Sequence, residues 1–215
     1  MLRAQVLVLA KEPLPGRAKT RLTPPLLPEQ AAAVARAALL DTLDVVAAVP
    51  VQRRTVVLDG SPAGWLPAGL SVLPQRAGAL GERLAGAFED AYRALPVPLL
   101  LIGMDTPQVT ATLLGEALEL LLDGRPAVLG HADDGGWWAL GLHAPAPGLF
   151  DGVPMSTDRA GTVQQERLTA LGLAPALLPP LRDLDHADDV LAIAAQLAPT
   201  SRLATTAAEL AGALA

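Results

Sequence analysis

Short apolar runs alternate along this chain with segments of helical periodicity, and this alternation is the strongest constraint on its fold. The run Leu99–Gly103 is apolar throughout, which is typical of a central parallel strand covered on both faces. The predicted strands are residues 5–10, 54–58, 71–73, 99–103, 127–130, 137–142 and 176–178. The predicted helices are residues 29–48, 81–95, 111–122, 162–171 and 186–197. The order predicts an α/β fold with a mostly parallel sheet and helices on both faces.

The length of 215 residues fits one substantial α/β domain. We expect residues 1–200 to form that domain, because no low-complexity linker divides them. Residues 201–215 are rich in alanine and predict a C-terminal helix or a frayed tail of the same domain.

Composition excludes several classes of protein. The 16 Lys and Arg residues against 22 Asp and Glu residues give a net charge of −6, which argues against nucleic acid as a partner. No apolar run approaches the length of about 18 residues that a membrane span requires, so no membrane association is predicted. The chain has no cysteine, which excludes a thiolate nucleophile and suits the predicted cytoplasmic location. The oligomeric state stays open.

A basic loop follows the first predicted strand. It contains Lys11, Gly16, Arg17, Lys19 and Arg21, and these two lysines are the only ones in the chain. Arginine offers a planar fork of donors and lysine a mobile charge, and a glycine lets backbone N–H groups approach, so the loop suits a triphosphate. The alternative is a solvated basic loop.

Carboxylates follow two other segments. Asp105 comes directly after the most apolar predicted strand, and Asp183 and Asp185 precede the last predicted helix. Carboxylates and phosphate oxygens are the ligands that Mg²⁺ or Mn²⁺ prefers, so Asp105 with Asp183 or Asp185 is a candidate metal site. Alternatively, Asp105 caps a turn, and Asp185 is a helix N-cap with Asp188 at the third helical position.

A further polar turn contains Asp134, Gly135, Gly136 and Trp137, immediately before a predicted strand. Paired glycines permit a tight turn and a close approach of ligand to backbone, so these four residues are candidates for substrate binding. Trp137 and Trp138 must point to opposite faces of the strand, and at most one of them can line a site. An ordinary turn is the alternative. Downstream, Thr157 or Asp158 is the predicted N-cap of the following helix, although residues 155–159 could also contact an acceptor.

Four segments, taken in this order, resemble a family of GT-A-like transferases described as radical-SAM/selenodomain-associated or glycosyltransferase-like. That family is similar to the 2-phospho-lactate guanylyltransferases and, more distantly, to the molybdenum cofactor guanylyltransferases. The matching segments are residues 10–22 (AKEPLPGRAKTRL), 103–107 (GMDTP), 134–137 (DGGW) and 183–189 (DLDHADD). The resemblance implies a Rossmann-like nucleotide-diphospho-sugar transferase fold, also called GT-A-like.

The preferred hypothesis is a Mg²⁺-dependent nucleotidyltransferase that moves an NMP from a nucleoside triphosphate to a small phosphorylated acceptor. A phosphate nucleophile needs no general base, which suits a chain without a candidate catalytic histidine. Arg17, Lys19 and Arg21 would hold the β- and γ-phosphates, and Lys11 would reach the α-phosphate. Two alternatives stay open. One is a glycosyltransferase that uses a sugar nucleotide, with Asp134 as base, and the other is a non-catalytic nucleotide-binding module.

Overall fold

The structure, a computed structural model, describes residues 1–62 and 64–214. Its strands are β1 (Leu2–Lys11), β2 (Val51–Asp59), β3 (Ser71–Pro74), β4 (Leu99–Gly103), β5 (Ala127–Ala132), β6 (Trp137–Leu142) and β7 (Pro175–Leu181). Its helices are α1 (Pro28–Ala48), α2 (Leu80–Ala94), α3 (Ala111–Leu122), α4 (Ala160–Ala170), α5 (Ala187–Ala194), α6 (Arg202–Glu209) and α7 (Ala211–Leu214). The predicted alternation of strands and helices is confirmed.

The seven strands form one sheet in the order β3-β2-β1-β4-β6-β5-β7. Strand β6 runs antiparallel to β4 and β5, and every other neighbouring pair is parallel. The turn of residues 133–136 between β5 and β6 is too short for a crossover, so β6 must return antiparallel. The chain builds outward from β1 through β2 to β3, and then returns to place β4 on the other side of β1. This reversal opens a crevice at the carboxyl ends of β1 and β4, where ligands bind in such sheets.

Helices cover both faces of the sheet, as the sequence predicts. Helices α1 and α3 pack on one face through Leu39 and Leu118. Helices α2 and α4 pack on the other face through Phe88 and Leu168. Strand β4 is buried on both faces, which explains why it is apolar at every position. In the described part of the chain, no helix combines the length and the apolar character needed to cross a bilayer.

The C-terminal segment is helical and docked. Leu203 and Ala207 of α6 are buried in a cluster with residues of α1 and α5. The Asp41 carboxylate of α1 accepts hydrogen bonds from the backbone N–H groups of Arg202 (3.1 Å) and Leu203 (2.9 Å). The first turn of α6 is therefore tied to α1 and is not frayed. Ala215 lies outside the described residues.

We expect Asp41→Ala to destabilise the protein by about 0.5–2 kcal/mol, because it leaves two N–H groups of a helix terminus without this acceptor. Urea unfolding followed by far-UV circular dichroism measures this loss. Asp44→Ala is the matched control. Among the described residues, Asp44 accepts only from the exposed Arg202 guanidinium (2.6 Å), and such pairs contribute about 0–1 kcal/mol. Equal losses in both variants would contradict the capping role of Asp41.

Candidate functional site

The basic loop begins where β1 and β2 end side by side. Lys11 lies opposite Asp59 in the parallel register of these strands. The Asp59 carboxylate lies 3.9 Å from the Lys11 ammonium and 3.4 Å from the Arg17 guanidinium. All three side chains are partly exposed. Lys11 and Arg17 also line a cleft beside this strand end, where they stay accessible to an anionic ligand.

Lys19 is the most buried cation of the loop. Its side chain is 7% exposed, and its Nζ lies 2.7 Å from Asp105 Oδ1 and 3.0 Å from Asp185 Oδ1. Burial lowers the pKa of Lys19, but the carboxylates of Asp105 and Asp185 outweigh this effect and raise the pKa above its ordinary value. The backbone of Lys19 is left-handed, with φ of 51°, where the chain enters the single turn Thr20–Leu22. Residues held in this region often occur at functional sites.

Asp185 is shared between two cations. Its Oδ1 contacts Lys19, and its Oδ2 accepts from the Arg21 guanidinium at 2.7 Å. Burial raises the pKa of Asp185, but Lys19 and Arg21 outweigh this effect and hold the pKa below its ordinary value. The Arg21 side chain is 58% exposed, in contrast to that of Lys19.

Hydrogen bonds from backbone N–H groups hold the three charged segments together. The Leu184 N–H donates to the Asp105 carbonyl at 2.8 Å. The Lys11 N–H contacts the Met104 sulfur at 3.3 Å. The predicted proximity of Asp105 to Asp185 therefore follows from the positions of the two backbone segments and does not depend on the conformations of flexible side chains.

Asp183 lies near the same acids but has no cation of its own. Among the described residues, no hydrogen bond or ion pair reaches its carboxylate. Burial raises its pKa to about 8, with contributions from the neighbouring charges of Asp134, Asp105 and Asp185 and against the opposing effect of Lys19. Asp134 is exposed and accepts a hydrogen bond from the Gly136 N–H at 2.7 Å, which shapes the turn between β5 and β6. Among the described residues, neither the Asp183 nor the Asp134 carboxylate forms an ion pair with a cation.

Two clefts meet at this cluster. The first, which we call the acidic cleft, has a volume of about 360 Å³ and is lined by Asp105, Asp134, Gly136, Trp137, Asp183 and Asp185. The second, the basic cleft, has a volume of about 240 Å³ and is lined by Lys11, Arg17, Lys19 and Arg21. Arg21, Asp105 and Asp185 line both clefts. A single ligand could therefore extend from one cleft to the other.

Two predicted ligand-binding glycines line neither cleft. Gly16 has a positive φ of 71° and open space around it. Gly135 has a positive φ of 88°, and a side chain there would collide with the backbone of Asp158. The structure thus explains both glycines by backbone conformation, and Gly135 also by close packing, while their ligand roles stay predictions.

The predicted helix caps differ from those observed. The N-cap of α5 is His186, not Asp185, and Asp189 occupies the third helical position instead of Asp188. The Asp189 carboxylate accepts from the N–H groups of His186 (2.6 Å) and Asp185 (3.0 Å). Asp185 is thereby left free to bind Lys19 and Arg21.

The N-cap of α4 is Arg159, without a side-chain cap, so the prediction of Thr157 or Asp158 is also wrong. The Thr157 hydroxyl instead donates to the Pro154 carbonyl at 2.8 Å, one turn earlier. Thr157 and Ser156 both line the acidic cleft, which fits the prediction that this segment could contact an acceptor.

The two tryptophans divide as predicted. Trp137 lines the acidic cleft and stacks near Phe150, with ring centroids 6.4 Å apart. Trp138 is 1% exposed and belongs to the core.

The structure also adds an apolar wall to the site, formed by Leu80 and Leu84 of α2, which the sequence did not indicate. The position of α2 directly after β3 was a usable signal, since helix starts in such folds lie beside the crevice.

Gln75 and Arg83 are further residues that the sequence analysis missed. The Gln75 amide donates to the carbonyls of Ala10 (2.8 Å) and Val57 (3.0 Å) and accepts from Arg83 at 3.0 Å. This network joins β1 and β2 to α2 at the edge of the sheet that carries the site. No local pattern marks it, because its partners lie far apart in the sequence.

The residues of the two clefts fit a hard divalent cation. All the candidate ligands are carboxylates, and Asp183 is a half-buried carboxylate whose pKa is raised first by burial and then by the neighbouring acids. Within the described ranges, no three His, Cys, Asp or Glu side chains are already gathered around one point. Mg²⁺ commonly uses only one or two carboxylates together with substrate phosphates, so Asp105 with Asp185 or Asp183 is sufficient.

Several solved structures with the same fold carry the names of transferases. The chain matches a protein from Desulfovibrio desulfuricans G20, described as a nucleotide-diphospho-sugar transferase, with a TM-score of 0.89, 24% identity and coverage of 100% of this chain and 97% of the other. A cytidylyltransferase from Leptospira borgpetersenii matches with a TM-score of 0.59, 14% identity and coverage of 100% and 97%. The 2-C-methyl-D-erythritol 4-phosphate cytidylyltransferase from Thermus thermophilus matches with a TM-score of 0.52, 20% identity and coverage of 91% and 99%. These likenesses confirm the predicted nucleotide-diphospho-sugar transferase fold.

A metal appears in one structure of this group. Rv0371c from Mycobacterium tuberculosis H37Rv, in a complex with manganese, matches with a TM-score of 0.50, 18% identity and coverage of 89% of this chain and 97% of the other. No curated protein sequence matches this chain. A family model described as "Uncharacterized protein conserved in bacteria (DUF2064)" matches residues 33–157. The chain therefore belongs to the DUF2064 family.

Proposed function

We propose that this protein is a Mg²⁺- or Mn²⁺-dependent nucleotidyltransferase that moves an NMP from a nucleoside triphosphate to a small phosphorylated acceptor and releases pyrophosphate. The observation that carries the proposal is the meeting of the basic loop with two carboxylates. Lys19 of that loop contacts both Asp105 and Asp185, at the junction of the two clefts. Cations for a triphosphate and acids for a divalent ion thus lie within one crevice.

The basic cleft would hold the triphosphate. Arg17, Lys19 and Arg21 would bind the β- and γ-phosphates and neutralise the leaving pyrophosphate, and Lys11 would reach the α-phosphate. Their present partners are carboxylates, and each carboxylate could exchange its cation for another when ligands arrive. Every charge would stay compensated in such an exchange.

Asp105, with Asp185 or Asp183, would hold the divalent ion, which when bound supplies positive charge to the phosphate oxygens. The protein itself would contribute orientation of the donor and exclusion of water. The apolar wall of Leu80, Leu84 and Trp137 would seat the uncharged part of a ligand in the acidic cleft. Trp137 and the turn of Asp134, Gly135 and Gly136 would contact the acceptor.

The donor can be identified by thermal shift and by product analysis. The protein is incubated with Mg²⁺ and with each nucleoside triphosphate or UDP- and GDP-sugar, and the melting temperature and released products are measured. We expect a triphosphate to raise the melting temperature most and pyrophosphate to be released once an acceptor is supplied. Release of a nucleoside diphosphate from a sugar nucleotide would overturn the proposal. Nucleotide binding without turnover on any acceptor would favour a non-catalytic module.

A glycosyltransferase is the second candidate, because the exposed Asp134 carboxylate lines the acidic cleft, where it could act as a base for an acceptor hydroxyl. Asp134→Asn distinguishes the two reactions. If Asp134 is a general base, we expect the rate to fall by about 10²- to 10⁴-fold. If an ionised phosphate is the nucleophile, the rate falls less than about tenfold and its pH profile keeps its shape. Steady-state kinetics across pH 6 to 9 measures both quantities.

Three finer expectations also stay predictions: kinship with guanylyltransferases, association with radical-SAM proteins, and a cytoplasmic location without nucleic-acid partners. The arrangement of residues 1–200 as one domain also stays a prediction.

A further inference from the structure

We propose that the Lys19 ammonium is a built-in counter-ion that occupies the divalent-cation position between Asp105 and Asp185 and must leave it before a metal ion can bind. The inference rests on the proposed function for the presence of a metal ion. It adds a competition within the protein, in which one side chain controls the affinity of its own active site for metal.

The contacts of Lys19 resemble those of a bound cation. Its Nζ contacts one oxygen of Asp105 at 2.7 Å and one oxygen of Asp185 at 3.0 Å, and its side chain is 7% exposed. Loss of the ammonium without replacement would leave Asp105 without this cation and Asp185 with Arg21 alone, beside Asp183 and Asp134. The ammonium therefore stabilises the crevice when no metal ion is present.

A metal ion and the ammonium exclude each other at this point. A Mg²⁺ ion needs its carboxylate oxygens at about 2.0–2.1 Å, in nearly octahedral geometry. The Lys19 nitrogen already occupies the space beside the same two oxygens. An ammonium group and a metal ion that shared these oxygens would lie so close together that their positive charges would repel strongly. Binding of the metal ion therefore requires displacement of Lys19.

When a metal ion binds, Lys19 can move into the basic cleft, whereas Arg21 can keep its position. The flexible four-carbon stem of Lys19 also borders the basic cleft, where a triphosphate would attract the ammonium. Arg21 binds the other oxygen of Asp185, Oδ2, and leaves Oδ1 available once Lys19 departs. The structure thus allows an exchange in which the lysine binds the phosphate and the carboxylates bind the metal ion.

The test measures Mn²⁺ binding to the full chain without nucleotide, by electron paramagnetic resonance of free Mn²⁺. We expect Lys19→Met to bind Mn²⁺ at least about tenfold more tightly than the wild type, because the competing charge is gone. The variant should also melt at a lower temperature than the wild type without metal and regain most of the difference with Mn²⁺. Lys19→Gln, which keeps a hydrogen-bond donor for the carboxylates, repeats the measurement with less risk to folding.

Lys11→Met is the matched control, since it removes the same charge from the same loop but not from between Asp105 and Asp185. Its Mn²⁺ affinity should change less than about threefold. The double variant Lys19→Met with Asp105→Asn should lose the gain, which assigns the gain to this site. Unchanged or weaker Mn²⁺ binding in both Lys19 variants would overturn the inference. That outcome is separable from failure of the proposed function, because the binding assay involves neither nucleotide nor turnover.

Discussion

Asp105→Asn is expected to lower the rate of pyrophosphate release at least about a hundredfold, with little change in stability. The substitution keeps the shape of the side chain but removes its charge, and a neutral amide is a weaker partner for both a divalent cation and Lys19. The fold should persist, because the Asp105 side chain is 41% exposed and the bond from Leu184 reaches the backbone carbonyl. Turnover is measured with the triphosphate and acceptor that give the highest wild-type rate, and folding by the melting temperature.

Asp133→Asn is the control for this experiment. Asp133 is an exposed carboxylate near the same edge of the sheet, and it lines neither the acidic nor the basic cleft. Its substitution makes the same change of net charge, so a rate close to that of the wild type is expected. A rate for Asp105→Asn within about threefold of the wild type would remove Asp105 from the reaction.

Trp138→Ala is expected to reduce the free energy of unfolding by about 3–5 kcal/mol, the largest stability effect that we predict. The indole is 1% exposed and lies over Gly130, where a side chain would collide with its ring. Its Nε1–H donates to the Pro179 carbonyl at 3.0 Å, so the ring reaches across β5 from β6 to β7. Truncation leaves a cavity and an unpaired carbonyl. Urea unfolding followed by far-UV circular dichroism measures the loss without relying on tryptophan fluorescence.

Trp137→Ala is the natural comparison, because the neighbouring ring points to the opposite face and lines the acidic cleft. We expect a smaller loss of stability, limited to packing near Phe150, together with a loss of ligand affinity that Trp138→Ala does not show in the folded protein. If both variants were equally destabilised and bound ligand equally well, Trp137 would have to be assigned to the core.

Local patterns in the sequence are sufficient for the secondary structure and the fold class. The apolar run of β4 and the predicted helix over residues 81–95 are encoded by residues close together in the chain, and the structure confirms both. Leu84, Phe88 and Tyr92 of that helix pack in one apolar cluster. The N-caps of α4 and α5 were predicted wrongly, because several neighbouring polar residues can each begin a helix. Which of them does so depends on other contacts, such as that between Arg182 and Asp189 at 2.7 Å.

The order of the strands was not predictable in the same way. The antiparallel direction of β6 follows from the short turn before it, yet its insertion between β4 and β5 depends on packing of the whole sheet. This insertion places Asp134 and Trp137 beside Asp105, although they lie in different segments of the chain.

The sequence by itself determined which residues carry charge into the crevice, because residues at the carboxyl ends of parallel strands must meet at one edge of the sheet. Only the tertiary structure decided how those charges pair. Lys19 and Asp185 are 166 positions apart, and nothing near either residue indicates that the lysine contacts Asp185 but forms no ion pair with Asp183. The physical reason is that periodicity and turn chemistry are local, whereas an ion pair depends on the final approach of two side chains that distant segments bring together.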